Sequence, residues 1–410
     1  MPTLPDNFSE EPAILRNTSL LLFLLSRGAT ALSYQMLSVA VGWQVYAITG
    51  SALYLGLVGL AQFLPMFLLT LVVGHVADNY NRRWVICLCQ SVQGAGALVL
   101  AAGSCAGWLN TESILLIMFV IGGTRSFESP TMQAYVPDLV PASFIPRAVS
   151  LFASSNQTAA IIGPAFGGLL YVASPSWVYF ATGALFLAAS LLVFLTRSRP
   201  TAPQCHEAAS QSLFAGIHFI RGNPTILGAI SLDLFAVLLG GATALLPIYA
   251  QEILGVGPQG LGLLRSAPAA GALSMSLFLA RFSLRRRVGL LMFAAVIIFG
   301  MVTILFAVST SFLLSLGALV ILGAANVISV VIRWSLVQME TPNYMRGRVS
   351  AVNSLFTGTS NQLGDFESGL TAAWFGAVPA VLIGGVGTVL VAVVWMRLFP
   401  SLLRVDTLEQ

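Results

Sequence analysis

Of the 410 residues, 57% are hydrophobic and 8% are charged, with a mean hydropathy of +0.88. A soluble domain carries roughly 25% charged residues, so this chain cannot cover a water-facing surface of its size, and its bulk solvent is lipid. The formal net charge is +4 and every basic residue is arginine, which excludes a P-loop lysine on nucleotide phosphates and a Schiff-base lysine; the arginines are scattered, not gathered in one stripe, which argues against a nucleic-acid partner.

Residues 1–18 are acidic and polar and lack the basic start of a secretory signal, so they read as a cytoplasmic tail. A spanning helix needs ~20 apolar residues. Runs at 19–47, 53–77, 83–104, 112–136, 147–173 and 176–196 predict six such helices in a first lobe over 19–196. Arg27, in the first run, lies one to two turns from the cytoplasmic side, where a long stem can snorkel to lipid headgroups or serve a structural role; it is also a candidate for coupling or transport.

The second and third runs are joined by Gly74-His75-Val76-Ala77-Asp78-Asn79-Tyr80-Asn81-Arg82-Arg83. This stretch resembles the signature loop of the major facilitator superfamily of transporters, Gly-x-Leu-Ala-Asp-Arg-x-Gly-Arg-Arg. Asn79 replaces the usual basic residue and Asn81 the second glycine. The resemblance implies a gating loop of Gly74, Asp78, Arg82 and Arg83, in which Asp78 pairs with a basic partner and latches the cytoplasmic side. The alternative is a plain topogenic turn. The third run holds Cys87 and Cys89, two apart on one helix, which together with Cys105 and Cys205 form neither a disulfide framework nor a zinc spacing.

Charges inside the bilayer are costly, ~2.5–3.5 kcal/mol each on insertion scales, so each needs a reason. Arg125 and Glu128 are three apart and share a helix face in the fourth run. They read as a proton relay or substrate-gating pair, or as a permanent pair that fixes packing. The fifth run carries Gly163-Pro164-Ala165-Phe166-Gly167-Gly168. Gly163 and Gly167 make a small-xxx-small face for close helix approach, and Pro164 removes a backbone donor. The segment resembles the Gly-Pro-x-x-Gly-Gly core of the fifth-helix motif of facilitator antiporters that export drugs, with Ala159 where that pattern has an upstream glycine.

The longest polar stretch opens a cytoplasmic linker over 197–223, within which residues 212–221 read as a short helix on the membrane surface. Further runs at 224–252, 258–280, 287–308, 311–338, 348–375 and 378–398 predict a second six-helix lobe over 224–398, followed by a tail over 399–410. Asp233, Arg265, Arg333, Asp365 and Glu367 are its intramembrane charges. Asp233 is placed for gating, for pairing with a basic residue, or for a direct role in transport. Asp365 is a second proton-carrier candidate. Glu367, two residues on and about 200° around the helix, cannot face the same cavity. Arg333 is placed to snorkel like Arg27. Trp43, Tyr46, Tyr54 and Tyr249 cluster toward helix ends, as interface anchors do.

The arginines outside the runs fall in alternate gaps and the tails, while the gaps near Gly50, Gly107, Pro175, Gly257, Thr310 and Val378 hold none. The positive-inside rule makes the arginine side the cytoplasm, with both termini there. The halves also echo each other. Gly59, Pro65, Arg82 and Arg83 correspond to Gly262, Pro268, Arg285 and Arg286, and Pro141, Arg147, Gly163 and Gly168 to Pro342, Arg348, Gly364 and Gly369. The expected fold is all-α and integral to the membrane: twelve transmembrane helices in two pseudo-symmetric six-helix lobes, as in the major facilitator fold, with a substrate path between the lobes.

Residues 125–130, 136–141 and 364–369 look like the bacterial exporter branch of that superfamily that includes the enterobactin exporter. The resemblance implies a monomeric, multi-pass inner-membrane antiporter, driven by protons, that exports a small organic molecule such as a siderophore or a drug-like compound. An importer or uniporter of a small nutrient, or a non-transporting receptor, are the alternatives. No cofactor, metal, nucleotide or enzymatic activity is expected.

Overall fold

Polar caps and left-handed glycines divide the apolar chain into helices. A computed structural model describes residues 17–197, 209–282, 287–342 and 345–406. Among them, twelve long helices follow the predicted runs. In the first lobe they are α1 (Thr18–Thr49), α2 (Ala52–Asn79), α3 (Arg82–Ala106), α4 (Thr111–Leu139), α5 (Ile145–Ala173) and α6 (Pro175–Phe194). The linker helix α7 (Ala209–Gly222) follows, and the second lobe comprises α8 (Pro224–Leu239), α9 (Gly257–Arg281), α10 (Val288–Val308), α11 (Phe312–Glu340), α12 (Arg346–Phe375) and α13 (Ala377–Leu398), with a terminal turn α14 (Pro400–Leu403).

The side chains of Asn17, Asn81 and Asn223 accept backbone N–H groups at the starts of α1, α3 and α8, and Asn110 with Ser113 forms a capping box on α4. Gly50 and Gly107 end α1 and α3 at φ of 58° and 73°, a left-handed conformation that glycine adopts without strain. Nine of these helical segments among the described residues are long and apolar enough to cross a membrane by composition alone. The three long helices outside that set, α4, α5 and α12, carry more polar residues.

The run predicted as one helix over 224–252 is broken. After Leu239 the chain passes Gly240 and Gly241, then short turns at Ala242–Leu245 and Leu246–Ile248, then a π-helical stretch, Tyr249–Ile253. A Cβ on Gly241 would lie 2.6 Å from the Gly364 carbonyl oxygen, so the break is where α8 leans on α12. Tyr46 and Tyr249, expected as interface anchors, are core residues instead, and the Tyr249 hydroxyl donates to the Ala307 carbonyl at 3.1 Å. In α7, Gly216 and Ile220 pack on the arginine-bearing end of the second lobe near Val349 and Val352. Beyond 398, Leu402 is buried against Gly228 and Gly289.

The packing repeats with the sequence. In the first lobe α3 packs on α6, α1 on α5 and α6, and α2 on α4; in the second, α10 packs on α13, α8 on α12 and α13, and α9 on α11. Between lobes α2 packs on α12 and α5 on α9, which are the same contact seen from either side of the pseudo-twofold. In the arginine-poor half, one cluster of buried apolar residues runs through both lobes, from Met36 and Val41 to Leu261 and Phe306. In the arginine-bearing half the clusters are separate, one in the first lobe and two in the second.

Candidate functional site at the lobe interface

Glu128 is 1% exposed, at mid-length in α4. Its Oε1 accepts from Gln90 Nε2 at 3.0 Å, and its Oε2 accepts from Gln93 Nε2 at 3.0 Å and from the Tyr34 hydroxyl at 3.1 Å. Gln90 also reaches Thr30 Oγ1 at 2.9 Å, which ties α3 to α1. The expected ion pair between Glu128 and Arg125 does not form. A shared helix face brings two residues to one side, but Tyr34 of α1 stands between them: the Arg125 guanidinium lies over the Tyr34 ring, 4.4 Å from its centroid, while the hydroxyl of that ring bonds Glu128. Tyr34, Gln90 and Gln93 were not singled out from sequence. The signal was the presence of glutamines within an apolar run, where an amide is costly without a partner.

Of the lipid-headgroup and structural roles open to it, Arg27 takes a structural contact: it bonds Asn156 Oδ1 at 2.9 Å through Nη2 and lies over the Phe152 ring at 4.5 Å, so it joins α1 to α5. Arg333 likewise has a structural contact. It is 3% exposed and forms an ion pair with Asp233, which is 8% exposed. Asp233 thus has a basic partner, on α11.

Asp365 lies where α12 meets α2: a Cβ on Gly59 would sit 2.9 Å from the Asp365 Cβ. Glu367 turns elsewhere, as the spacing requires, and accepts from Thr371 Oγ1 of its own helix at 2.8 Å. The fifth-helix motif divides its work. Gly163 and Gly167 face Gln35 and Met36 of α1, within the lobe, while Gly168 and the Pro164 carbonyl meet Pro258 and Gly262 of α9, in the other lobe.

In the loop after α2, Gly74 and Asp78 are helical in backbone, and the Asp78 side chain lies outside the described ones. Arg82 bonds both carboxylate oxygens of Asp138, at 3.1 and 2.9 Å, and the Ala134 carbonyl at 3.0 Å, so it clamps the start of α3 to the end of α4. Arg83 donates to the Thr196 carbonyl at 3.1 Å, beside the Phe194 ring. Arg82→Gln and Asp138→Asn are each expected to cost about 1 kcal/mol, because the pair is only partly desolvated. The double variant should cost less than the sum of the two single ones in thermal unfolding; additive losses would mean that the two residues stabilise the chain separately.

A family model described as transmembrane secretion effector matches residues 13–409 of this chain. The enterobactin exporter EntS of Citrobacter koseri is 27% identical over 385 residues, which cover 93% of this chain and 91% of that protein. The enterobactin exporter EntS of Salmonella typhimurium is 26% identical over 387 residues, covering 93% and 92%. Among solved structures, the nucleoside transporter NupG superposes with a TM-score of 0.70 at 16% identity, covering 93% of this chain and 99% of that one. A bacterial homologue of the human lysosomal transporter Spinster, in an inward-facing and unoccupied conformation, superposes with a TM-score of 0.73 at 14% identity, covering 94% and 95%. These likenesses show the fold, the major facilitator fold of two six-helix lobes.

Proposed function

The chain belongs to the transmembrane secretion effector family, and from that premise we propose that it exports a small organic molecule, a siderophore or drug-like compound, across a bacterial inner membrane in exchange for protons. The two lobes alternate access to a path between them. The chain works as a monomer with both termini in the cytoplasm, its lobes spanning about 19–196 and 224–398 with the linker between. The exporter relatives and the fifth-helix motif support the outward direction.

One observation carries the proton coupling. Glu128 is a buried carboxylate at mid-helix whose hydrogen-bond donors, Tyr34, Gln90 and Gln93, are all neutral. Asp233, by contrast, has a counter-ion in Arg333. The charged form of Glu128 is satisfied by donors. Its protonated form has a partner available as well, because the Oε1 atoms of Gln90 and Gln93 are buried without one. Turning either amide over presents that carbonyl to a carboxylic acid proton. The surroundings can therefore hold both protonation states, which is what a proton carrier needs. Asp365, in the seam between lobes, is the second candidate carrier.

The test uses inside-out vesicles with an acidified lumen and a pH-sensitive dye. Substrate is expected to release lumenal protons with the unaltered chain and to release none with Glu128→Gln, whose amide cannot titrate. Proton release by Glu128→Gln at the unaltered rate would remove Glu128 from the coupling path.

A further inference from the structure

Arg265, on α9, is a mid-membrane cation with no hydrogen-bond or ion-pair partner among the described residues. It lies eight residues in from the arginine-poor start of α9 at Gly257, about 12 Å at 1.5 Å per residue, within a hydrocarbon layer of ~30 Å. It makes no hydrogen bond and no ion pair among the described residues. Its guanidinium reaches across to the first lobe: Nη1 is 3.9 Å from where a Cβ on Gly42 of α1 would stand. The charged group that acts on it is Asp365 of α12, and the two are not in ion-pair contact. Three residues before Asp365, and so on the same face of α12, Gln362 has a buried Oε1 with no partner. An unpaired guanidinium, an unpaired carboxylate and an unsatisfied amide thus share the seam between lobes, at mid-depth.

The pseudo-repeat shows that this polarity is not needed for packing. In the register that superimposes Gly59 on Gly262, Arg265 takes the place of Gln62. In the register that superimposes Gly163 on Gly364, Asp365 takes the place of Pro164. The α5–α9 seam and the α2–α12 seam make the same close approach, Gly262 to Pro164 in one and Gly59 to Asp365 in the other, and the first does so without an acid. Neutral residues serve at both equivalent places. Two intramembrane charges, each costly to insert, therefore stand where the fold does not require them.

We propose that Arg265 is the anchoring residue of the transport site and that the exported molecule is an organic anion, held through a carboxylate or a similar pair of oxygens. This rests on the export reading above and deepens it. The guanidinium fork matches paired oxygens in a bidentate way and is less strongly hydrated than an ammonium, which suits a dry site. Asp365 is the internal counter-ion: it faces Arg265 without closing onto it, and it competes with the substrate for the guanidinium. Gln362 offers an acceptor for a hydroxyl or N–H group of the same molecule.

The test uses two dyes with one xanthene scaffold and opposite charge, fluorescein (anionic) and rhodamine 6G (cationic), with the purified full chain in nanodiscs and with cells that express it. The unaltered chain is expected to bind fluorescein more tightly than rhodamine 6G. Arg265→Gln, which restores the residue of the equivalent place and so leaves packing intact, should weaken fluorescein by roughly tenfold or more and should not weaken rhodamine 6G, whose positive charge the guanidinium repels. Arg265→Lys should fall between, and Asp365→Asn, which removes the competitor, should tighten fluorescein. Fluorescein binding undiminished in Arg265→Gln, or no fluorescein binding by the unaltered chain, overturns the assignment. If cells then still extrude rhodamine 6G, the export reading survives the loss of the anion site. If they extrude neither dye nor any siderophore, the export reading falls with it.

Discussion

Asp233→Ala is expected to destabilise the second lobe by about 3–5 kcal/mol, the loss seen when one partner of a buried ion pair is removed. Arg333 is 3% exposed, and its Nε is already without a hydrogen-bond partner. Without Asp233 the guanidinium keeps its desolvation cost and loses its only ion-pair partner among the described residues. Asp233 joins α8 to α11, and the residues around it, Ala236, Val296, Phe299 and Ser329, line a small cavity. Thermal unfolding of the purified chain should show the single variant melting well below the unaltered protein. The double variant Asp233→Asn with Arg333→Gln should recover most of the loss, because it leaves no buried charge. A single variant that melts at the unaltered temperature would mean that Arg333 is balanced by another group.

The equivalent helices of the first lobe carry the opposite signs, Arg27 on α1 and Glu128 on α4, and there the charges do not pair. Arg27 is taken by Asn156, and Glu128 by three neutral donors. The second lobe closes this helix pair with an ion pair, and the first lobe leaves its acid on neutral donors.

Gly369→Leu is expected to stop export without unfolding either lobe. A Cβ on Gly369 would lie 2.6 Å from the Gly56 backbone nitrogen and 2.9 Å from the Ala52 carbonyl oxygen. These are backbone atoms of α2, in a packed interior that does not yield locally. The two helices must separate, and they belong to different lobes, so the damage falls on the contact between lobes that seals the arginine-poor side. Overpacking of this kind costs about 1–3 kcal/mol, which corresponds to a roughly 5–150-fold shift away from the sealed state.

A cysteine placed at Ala52, in a chain stripped of its native cysteines, should react faster with a membrane-impermeant maleimide in the Gly369→Leu background, while the melting temperature stays near that of the parent. Gly317, where an added Cβ meets nothing within 4 Å, supplies the control: Gly317→Ala should change neither reading. Export by Gly369→Leu at the unaltered rate would show that the α2–α12 seam need not close during transport.

Much of the fold was legible in the chain alone, because the relevant physics is local or additive. Apolar runs of ~20 residues must span a bilayer, Gly50 and Gly107 end helices by their own conformational freedom, and the arginines sort into alternate gaps without reference to packing. The loop with Asp78, Arg82 and Arg83 and the Gly163–Gly168 motif were likewise readable, as patterns and by resemblance. The broken helix after Leu239 was less so. Gly240 and Gly241 signalled it, but a continuous apolar run conceals a break until something, here Gly364 of α12, is seen to press on it.

The partners of the charges were decided by tertiary structure. Spacing along one helix tells which residues share a face, and it correctly separated Asp365 from Glu367. It cannot tell what stands opposite that face. Arg125 and Glu128 share a face and yet are divided by Tyr34, which comes from a helix 94 positions away in sequence. Asp233 finds Arg333, and Arg82 finds Asp138, across similarly long separations. The rotation of each helix about its axis follows from glycine contacts such as Gly122 with Gln62 and Gly167 with Met36, and these depend on every other helix in the bundle. Composition and period therefore determined that the chain spans a membrane many times, and which of its gaps are arginine-rich. Only the packing of all twelve segments together decided which acid is left without a cation and which arginine without an acid, because a charge in lipid is satisfied by whatever the assembled bundle brings to it.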